Sequence, residues 1–165
     1  MRVLGIDCGS TATGVGVIES DGRGYQVLHY GAICPTRSRP FGQRLDYIHR
    51  ELEKLVERYR PQAIAVEQVF QAFNVKTAMQ LSQVRGVVLL AAARAGLPVS
   101  EYSALAVKSS VVGYGRAEKH QVQRMVQRLL SLAALPQPED AADALAVALC
   151  HIHTETTRRR LASNA

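Results

Sequence analysis

The chain has 165 residues, 47% of them apolar and 21% charged, with a formal net charge of +6. That length carries one domain with its own core, and the composition excludes a disordered chain or one dependent on disulfide staples. The positive balance admits a polyanionic partner without requiring one. Cys8, Cys34 and Cys150 form no CxxC pair and read as reduced, buried thiols. The longest apolar run, 86–93, is too short to span a bilayer, and the first residues run straight into a strand pattern rather than a signal segment. A cytoplasmic protein without a membrane partner is expected.

Arg2–Cys8 and Gly14–Glu19 read as strands around a Gly-Ser-Thr turn, and Tyr25–Ile33 follows the Asp21-Gly22 turn signal. Strands joined this closely pair as an antiparallel meander. Phe41, Leu45, Ile48, Leu52, Val56 and Tyr59 recur at helical spacing, an amphipathic helix that Arg60-Pro61 closes. Ala63–Glu67 is an apolar run of strand length. A helix spans about Val75–Ala95, ended by Gly96 and Pro98, and Val99–Tyr102 is the last strand. The remainder is helical in two pieces, Lys119–Leu132 and Glu139 to about Thr154, parted by Pro136 and Pro138. This order predicts an α/β domain over 1–155: a mixed five-stranded sheet, antiparallel meander plus parallel strands, flanked by helices. Residues 156–165, with Arg158-Arg159-Arg160, read as a basic, flexible tail.

Four acids stand where acids are rare. Asp7 ends the run Val3-Leu4-Gly5-Ile6, and Glu67 ends Ala63-Ile64-Ala65-Val66. Asp140 and Asp143 open a stretch that is otherwise small or apolar through Leu149. A buried carboxylate without a partner costs several kcal/mol or loses its charge, so the quartet reads as a metal site. Strand C-termini are also where α/β sheets place ligands. For Asp7 the alternative is a strand-end turn cap, and the glycines around it fit a close backbone approach to phosphate. Asp140 and Asp143 share a helix face in the first turn, where capping and the helix dipole account for Asp140. They account poorly for Asp143, because a helix so rich in Ala, Val and Leu has little solvated face.

The segment from Glu67 to Asn74 carries Phe70 and Phe73, which serve either as core plugs or as stacking wedges for bases. Lys108, Arg116, Lys119, Arg124 and Arg128 form a basic sector around Gly113-Tyr114-Gly115. Such a run is commonly a solvated face. Lys108 and Lys119, flanking the glycine-bearing loop, are placed to meet phosphates. His151 and His153 are two apart on a helix, diverge, and read as structural or surface groups. The stretch Ala78–Ala95, rich in Ala, Val and Gly, fits a dimer surface or a core helix equally.

With the acids placed, the sequence resembles the RuvC family of Holliday-junction resolvases over about residues 2–153. The likeness is carried by Gly5-Ile6-Asp7, Val66-Glu67-Gln68-Val69-Phe70, Asn74, Gln83-Val84-Arg85-Gly86, Glu101-Tyr102, Val107-Lys108, Lys119 and Asp140-Ala141-Ala142-Asp143-Ala144-Leu145-Ala146. It implies an RNase H-like fold and a homodimer that nicks two opposing strands of a four-way DNA junction, leaving 5′-phosphate ends. It implies two Mg²⁺ ions per site, replaceable by Mn²⁺, on the catalytic acids Asp7, Glu67, Asp140 and Asp143. By analogy Asp7 bridges the ions, with Glu67 on one side and the two helix acids on the other. Lys119 joins the catalytic set. Phe70, Phe73, Asn74, Lys108, Arg116 and Lys119 are the expected DNA contacts, and the RuvA–RuvB branch-migration complex is the expected protein partner. Cys8 stands where proline is common in the family, which puts a thiol beside a metal acid, and Gln71-Ala72-Phe73 departs from common wedge loops.

Three other classes compete. Actin-like kinases share the strand-Asp-x-Gly opening but need two such domains and a second phosphate loop. Another RNase H-like nuclease, acting on hybrid or ribosomal RNA precursor, fits the acids but not the loop segments. A non-catalytic junction binder has no use for an intact acid quartet.

Overall fold

The fold is given by a computed structural model that describes residues 1–68 and 74–163. One sheet contains β1 (Arg2–Asp7), β2 (Thr13–Ser20), β3 (Tyr25–Ile33), β4 (Ala63–Glu67) and β5 (Val99–Tyr102), in the order β3-β2-β1-β4-β5. β1 to β3 pair antiparallel across their short turns, whereas β4 and β5 join in parallel through helical crossovers. The helices are α1 (Phe41–Tyr59), α2 (Val75–Arg94), α3 (Ala104–Val112), α4 (Lys119–Leu129) and α5 (Glu139–Ser163).

The alternation of strand side chains divides the core in two. Leu4, Ile6, Ile64 and Val66 face one side, packed with Ile48 and Leu52 of α1 and Val84 and Val88 of α2. Val3 and Ala65 face the other, packed with α5 and with Val107 of α3 and Val122 of α4. Asp7 is in step with Val3, and Glu67 with Ala65. Both carboxylates therefore leave the sheet toward α5.

Glycines let α5 lie directly on the sheet. Gly5 and Gly16 are cross-strand partners, and Gly14 is the partner of Asp7, so these residues share one face. A Cβ at Gly5 would stand 2.1 Å from the Ala144 carbonyl oxygen, and one at Gly16 would stand 2.8 Å from Leu145 Cδ2. At Gly5 the obstacle is backbone and leaves no room for a side chain, whereas at Gly16 the Leu145 side chain would have to shift. The small residues of α5 complete the contact, and from Ala141 to Ile152 only Asp143 is not buried. A helix covered on nearly every side has no reason to show an amphipathic stripe.

Two elements depart from expectation. α3 is additional: Ser103 caps it, its side chain accepting the Ala106 N–H at 3.1 Å, and Gly113 at φ 94° ends it. Its short course ends in β-branched Val111-Val112 and shows no helical stripe; the Ser cap before Ala-Leu-Ala is the signal that marks it. The second departure is the tail, where α5 continues to Ser163 instead of fraying at Thr156. Thr157 Oγ1 donates to the His153 carbonyl at 2.9 Å, and Arg158 pairs with Glu155 at 2.7 Å. Extending a helix already nucleated in the core adds one hydrogen bond per residue fixed, and arginine favours it.

Cys8 and Cys150 are buried as expected, but Cys34 is exposed, just beyond the end of β3. His151 and His153 are structural: the Tyr102 hydroxyl lies 2.9 Å from His151 Nδ1, and the Tyr25 hydroxyl 2.9 Å from His153 Nε2. Among the described residues no helix is long and apolar enough to cross a membrane.

Candidate active site

β1 and β4 are parallel neighbours with Ile6 opposite Val66, so Asp7 and Glu67 end side by side at one edge of the sheet. The first turns of α5 lie over that edge and bring Asp140 and Asp143 to it. α5 begins at Glu139, so Asp140 sits inside the helix, not at its cap. The acids behave as one electrostatic group. Burial, then the charges of Asp143, Glu67 and Asp140, push the Asp7 carboxyl up to about 7, with Lys119 opposing. Burial and Asp143 also raise Glu67, against Lys108 and Lys119. Burial raises Asp143, against its hydrogen bond to Lys119.

Lys119 opens α4, where the Gln121 side chain accepts the Glu118 N–H at 2.8 Å and fixes the helix start. Its Nζ lies 2.9 Å from Asp143 Oδ2 and 3.1 Å from Glu139 Oε2. Burial favours the neutral amine, but the hydrogen bonds and charges of Asp143 and Glu139 outweigh it and raise the lysine above its ordinary range. Beside the acids is a cleft of about 290 Å³ lined by Glu67, Lys108, Lys119 and Asp143, with Val107 and Val122 in its wall. α3, the helix not legible in the sequence, is what carries Lys108 there.

The turn after β1 is fastened from two sides. Thr13 Oγ1 donates to the Gly9 carbonyl at 2.8 Å, and the Arg44 guanidinium of α1 donates to the Ser10 carbonyl. The glycines expected to cradle a phosphate are used for packing: Gly5 and Gly14 admit α5, and a Cβ at Gly9 would stand 1.9 Å from the Ala12 carbonyl oxygen. Cys8 joins the core on the α1–α2 side, opposite the face that Asp7 serves. Its thiol is pushed up to about 12 by burial and by the charge of Asp7.

The remaining expected contacts fall elsewhere. Phe70 and Phe73 lie outside the described residues. Asn74 caps α2, its Oδ1 accepting the Thr77 N–H at 2.9 Å. Arg116 is exposed on the loop between α3 and α4 and does not line the cleft. Glu139 was not singled out in the sequence, yet it holds Lys119, and Gly14, expected to approach a phosphate, instead admits Asp140.

Among the described residues, no three carboxylate, His or Cys side chains are drawn together closely enough to hold a metal ion as they stand. The donor set nevertheless suits a hard divalent ion. Its members are all carboxylates, and the mutual repulsion visible at Asp7 is what such an ion relieves.

A mixed sheet with an acid ending its middle strand, a second acid on the adjacent parallel strand and an acid-bearing helix across both defines an RNase H-like nuclease. The family described as crossover junction endodeoxyribonuclease RuvC matches residues 3–151. The chain belongs to that family. The protein of that description from Koribacter versatilis is 50% identical over 166 aligned positions, covering 100% of each chain. The one from Geobacter sulfurreducens is 50% identical over 163 positions, covering 99% of each. Among solved structures, T. thermophilus RuvC in complex with Holliday junction substrate aligns with a TM-score of 0.91 at 36% identity, over 95% of this chain and 96% of that one.

Proposed function

We propose that the chain nicks two opposing strands of a four-way DNA junction symmetrically, as a homodimer, with Mg²⁺ held by Asp7, Glu67, Asp140 and Asp143. It is a nuclease that resolves Holliday junctions. The observation that carries the finer reading is the convergence of carboxylates from β1, β4 and α5 around Asp7, whose carboxyl is pushed up to about 7 by burial and by the charges of Asp143, Glu67 and Asp140.

When bound there, divalent ions neutralise charge on the scissile phosphate and polarise a water for in-line attack. The chain's own residues do the rest. Asp7 and Glu67 hold their oxygens on adjacent strand ends, and Asp140 and Asp143 close the site from α5. Lys108 and Lys119 stand in the cleft wall, where a phosphate entering beside the acids meets both. Phe70 follows Glu67 closely in the chain, which fits a ring that stacks on bases at the opened junction. Exposed Met79 and Leu90 lie on one side of α2, with the exposed Gln83 and Gly86 between them, while Val84 and Val88 pack inward. That outer side supports pairing of two copies. Association with RuvA–RuvB rests on the family resemblance alone.

The test is cleavage of a mobile four-way junction with and without Mg²⁺, beside linear duplex and RNA–DNA hybrid controls. Paired nicks that ligase reseals are expected on the junction alone, only with Mg²⁺ or Mn²⁺, and none from Asp7→Asn, which still shifts the junction in gels. Equal cleavage of the hybrid, or full activity in Asp7→Asn, would overturn the reading. Sedimentation of the free protein tests the dimer.

A further inference from the structure

We propose that Glu139 is a positioning residue: a second seat that lets Lys119 give up Asp143 to a divalent ion without leaving the cleft. The inference rests on the metal-site reading of the acid quartet. Glu139 and Asp143 are four apart on α5, hence on one face, and the Lys119 ammonium sits between them at 3.1 and 2.9 Å. The two acids are not equivalent. Asp143 is the largest charge acting on Asp7. Asp143 has 22% of its side chain exposed and Glu139 63%, so one faces the quartet and the other the rim.

A lysine and a divalent ion cannot both be served fully by Asp143, because the two cations repel. Without another anion within reach, the lysine has two outcomes. It holds Asp143 and weakens metal binding, or it swings into water and is lost from the phosphate path. Glu139 removes that conflict. Its carboxylate already lies 3.1 Å from the Lys119 Nζ, so the lysine keeps a partner when Asp143 turns to an ion, with only a small shift of its flexible stem. Its place in the first turn of α5 favours its own negative charge through the helix dipole. As an exposed ion pair the contact adds little to folding stability, so its effect appears in metal binding.

The test reads Mn²⁺ binding by electron paramagnetic resonance on the protein without DNA, for wild type, Glu139→Gln, Lys119→Ala and the double variant. Glu139→Gln is expected to raise the half-saturating Mn²⁺ concentration about fivefold, and Lys119→Ala to lower it. In the Lys119→Ala background Glu139→Gln should have no further effect, and Glu139→Asp should recover part of the wild-type affinity. An equal effect of Glu139→Gln in both backgrounds would make Glu139 a distant negative charge and overturn the proposal, as would no effect in either. Asp7→Asn separates the underlying reading. Mn²⁺ binding that survives Asp7→Asn undamaged would sink the metal site itself, and the inference with it.

Discussion

Gly14 and Asp140 meet backbone to backbone: a Cβ at Gly14 would stand 2.0 Å from the Asp140 carbonyl oxygen. Gly14 is also the cross-strand partner of Asp7, so this contact fixes how close the start of α5 comes to the central acid. Gly14→Ala should push α5 away and cut junction cleavage on the order of 100-fold, the cost of about an ångström of misplacement. Gly31→Ala on β3 is the matched control, since its new Cβ meets only His29 Nε2 at 3.9 Å. Single-turnover rates below both melting temperatures check this, and equal rates for the two variants would refute it.

Asp7 binds its proton more tightly in the fold than in the unfolded chain, its carboxyl rising from 3.8 to about 7. Between those values the native protein holds more protons than the unfolded one. The group's contribution is then fully favourable below about pH 4 and is lost as pH climbs to about 7. His151 and His153, lowered by burial, act in the opposite direction, so the informative quantity is the difference from Asp7→Asn. In metal-free buffer the melting temperature of wild type should fall relative to Asp7→Asn across about pH 4 to 7. Saturating Mg²⁺ should reverse the ranking, because an ion that binds only the native site adds its binding free energy to stability. A constant difference across that pH range would show that Asp7 is not perturbed.

Lys108 shares the cleft with Glu67 and Asp143, and its charge lowers the Glu67 carboxyl. If it meets a DNA phosphate, Lys108→Ala should weaken junction binding evenly across sequences. The slope of log K against log salt should become shallower by about 1. Fluorescence anisotropy in metal-free buffer measures that slope. An unchanged slope would leave Lys108 on an idle face.

The sheet and most helix boundaries were legible because local signals agreed with the fold: β1 through β5 are short apolar runs bounded by turns, and α1 has one clear apolar stripe. Asp7 and Glu67 were legible because a charge at the end of an apolar strand is costly without a cation. α3 was not, since its nine residues mix Ala, Ser and Val without period. Gly14 read as a phosphate-approaching strand residue and Gly16 as an ordinary strand residue, because nothing local records that a helix about 125 positions later will rest on them. Glu139 was hidden for a related reason. Its partner Lys119 belongs to another helix, and only the packing of α4 on α5 brings the pair together.

Cys8 adjoins Asp7 in sequence yet faces the opposite half of the core, so the thiol is inert toward the site's chemistry. Burial and the Asp7 charge push it up to about 12. At about pH 8 roughly one molecule in ten thousand then carries the thiolate that alkylation requires. Cys150 is buried and raised by that burial, whereas Cys34 is exposed. Brief iodoacetamide treatment of the native protein should therefore add a single adduct, at Cys34, and leave junction cleavage unchanged. The same treatment in denaturant should add one adduct at each of the three cysteines. Intact-mass and peptide mapping read the outcome, and rapid labelling of Cys8 in the native protein would show that the β1 end opens far more readily than its packing implies.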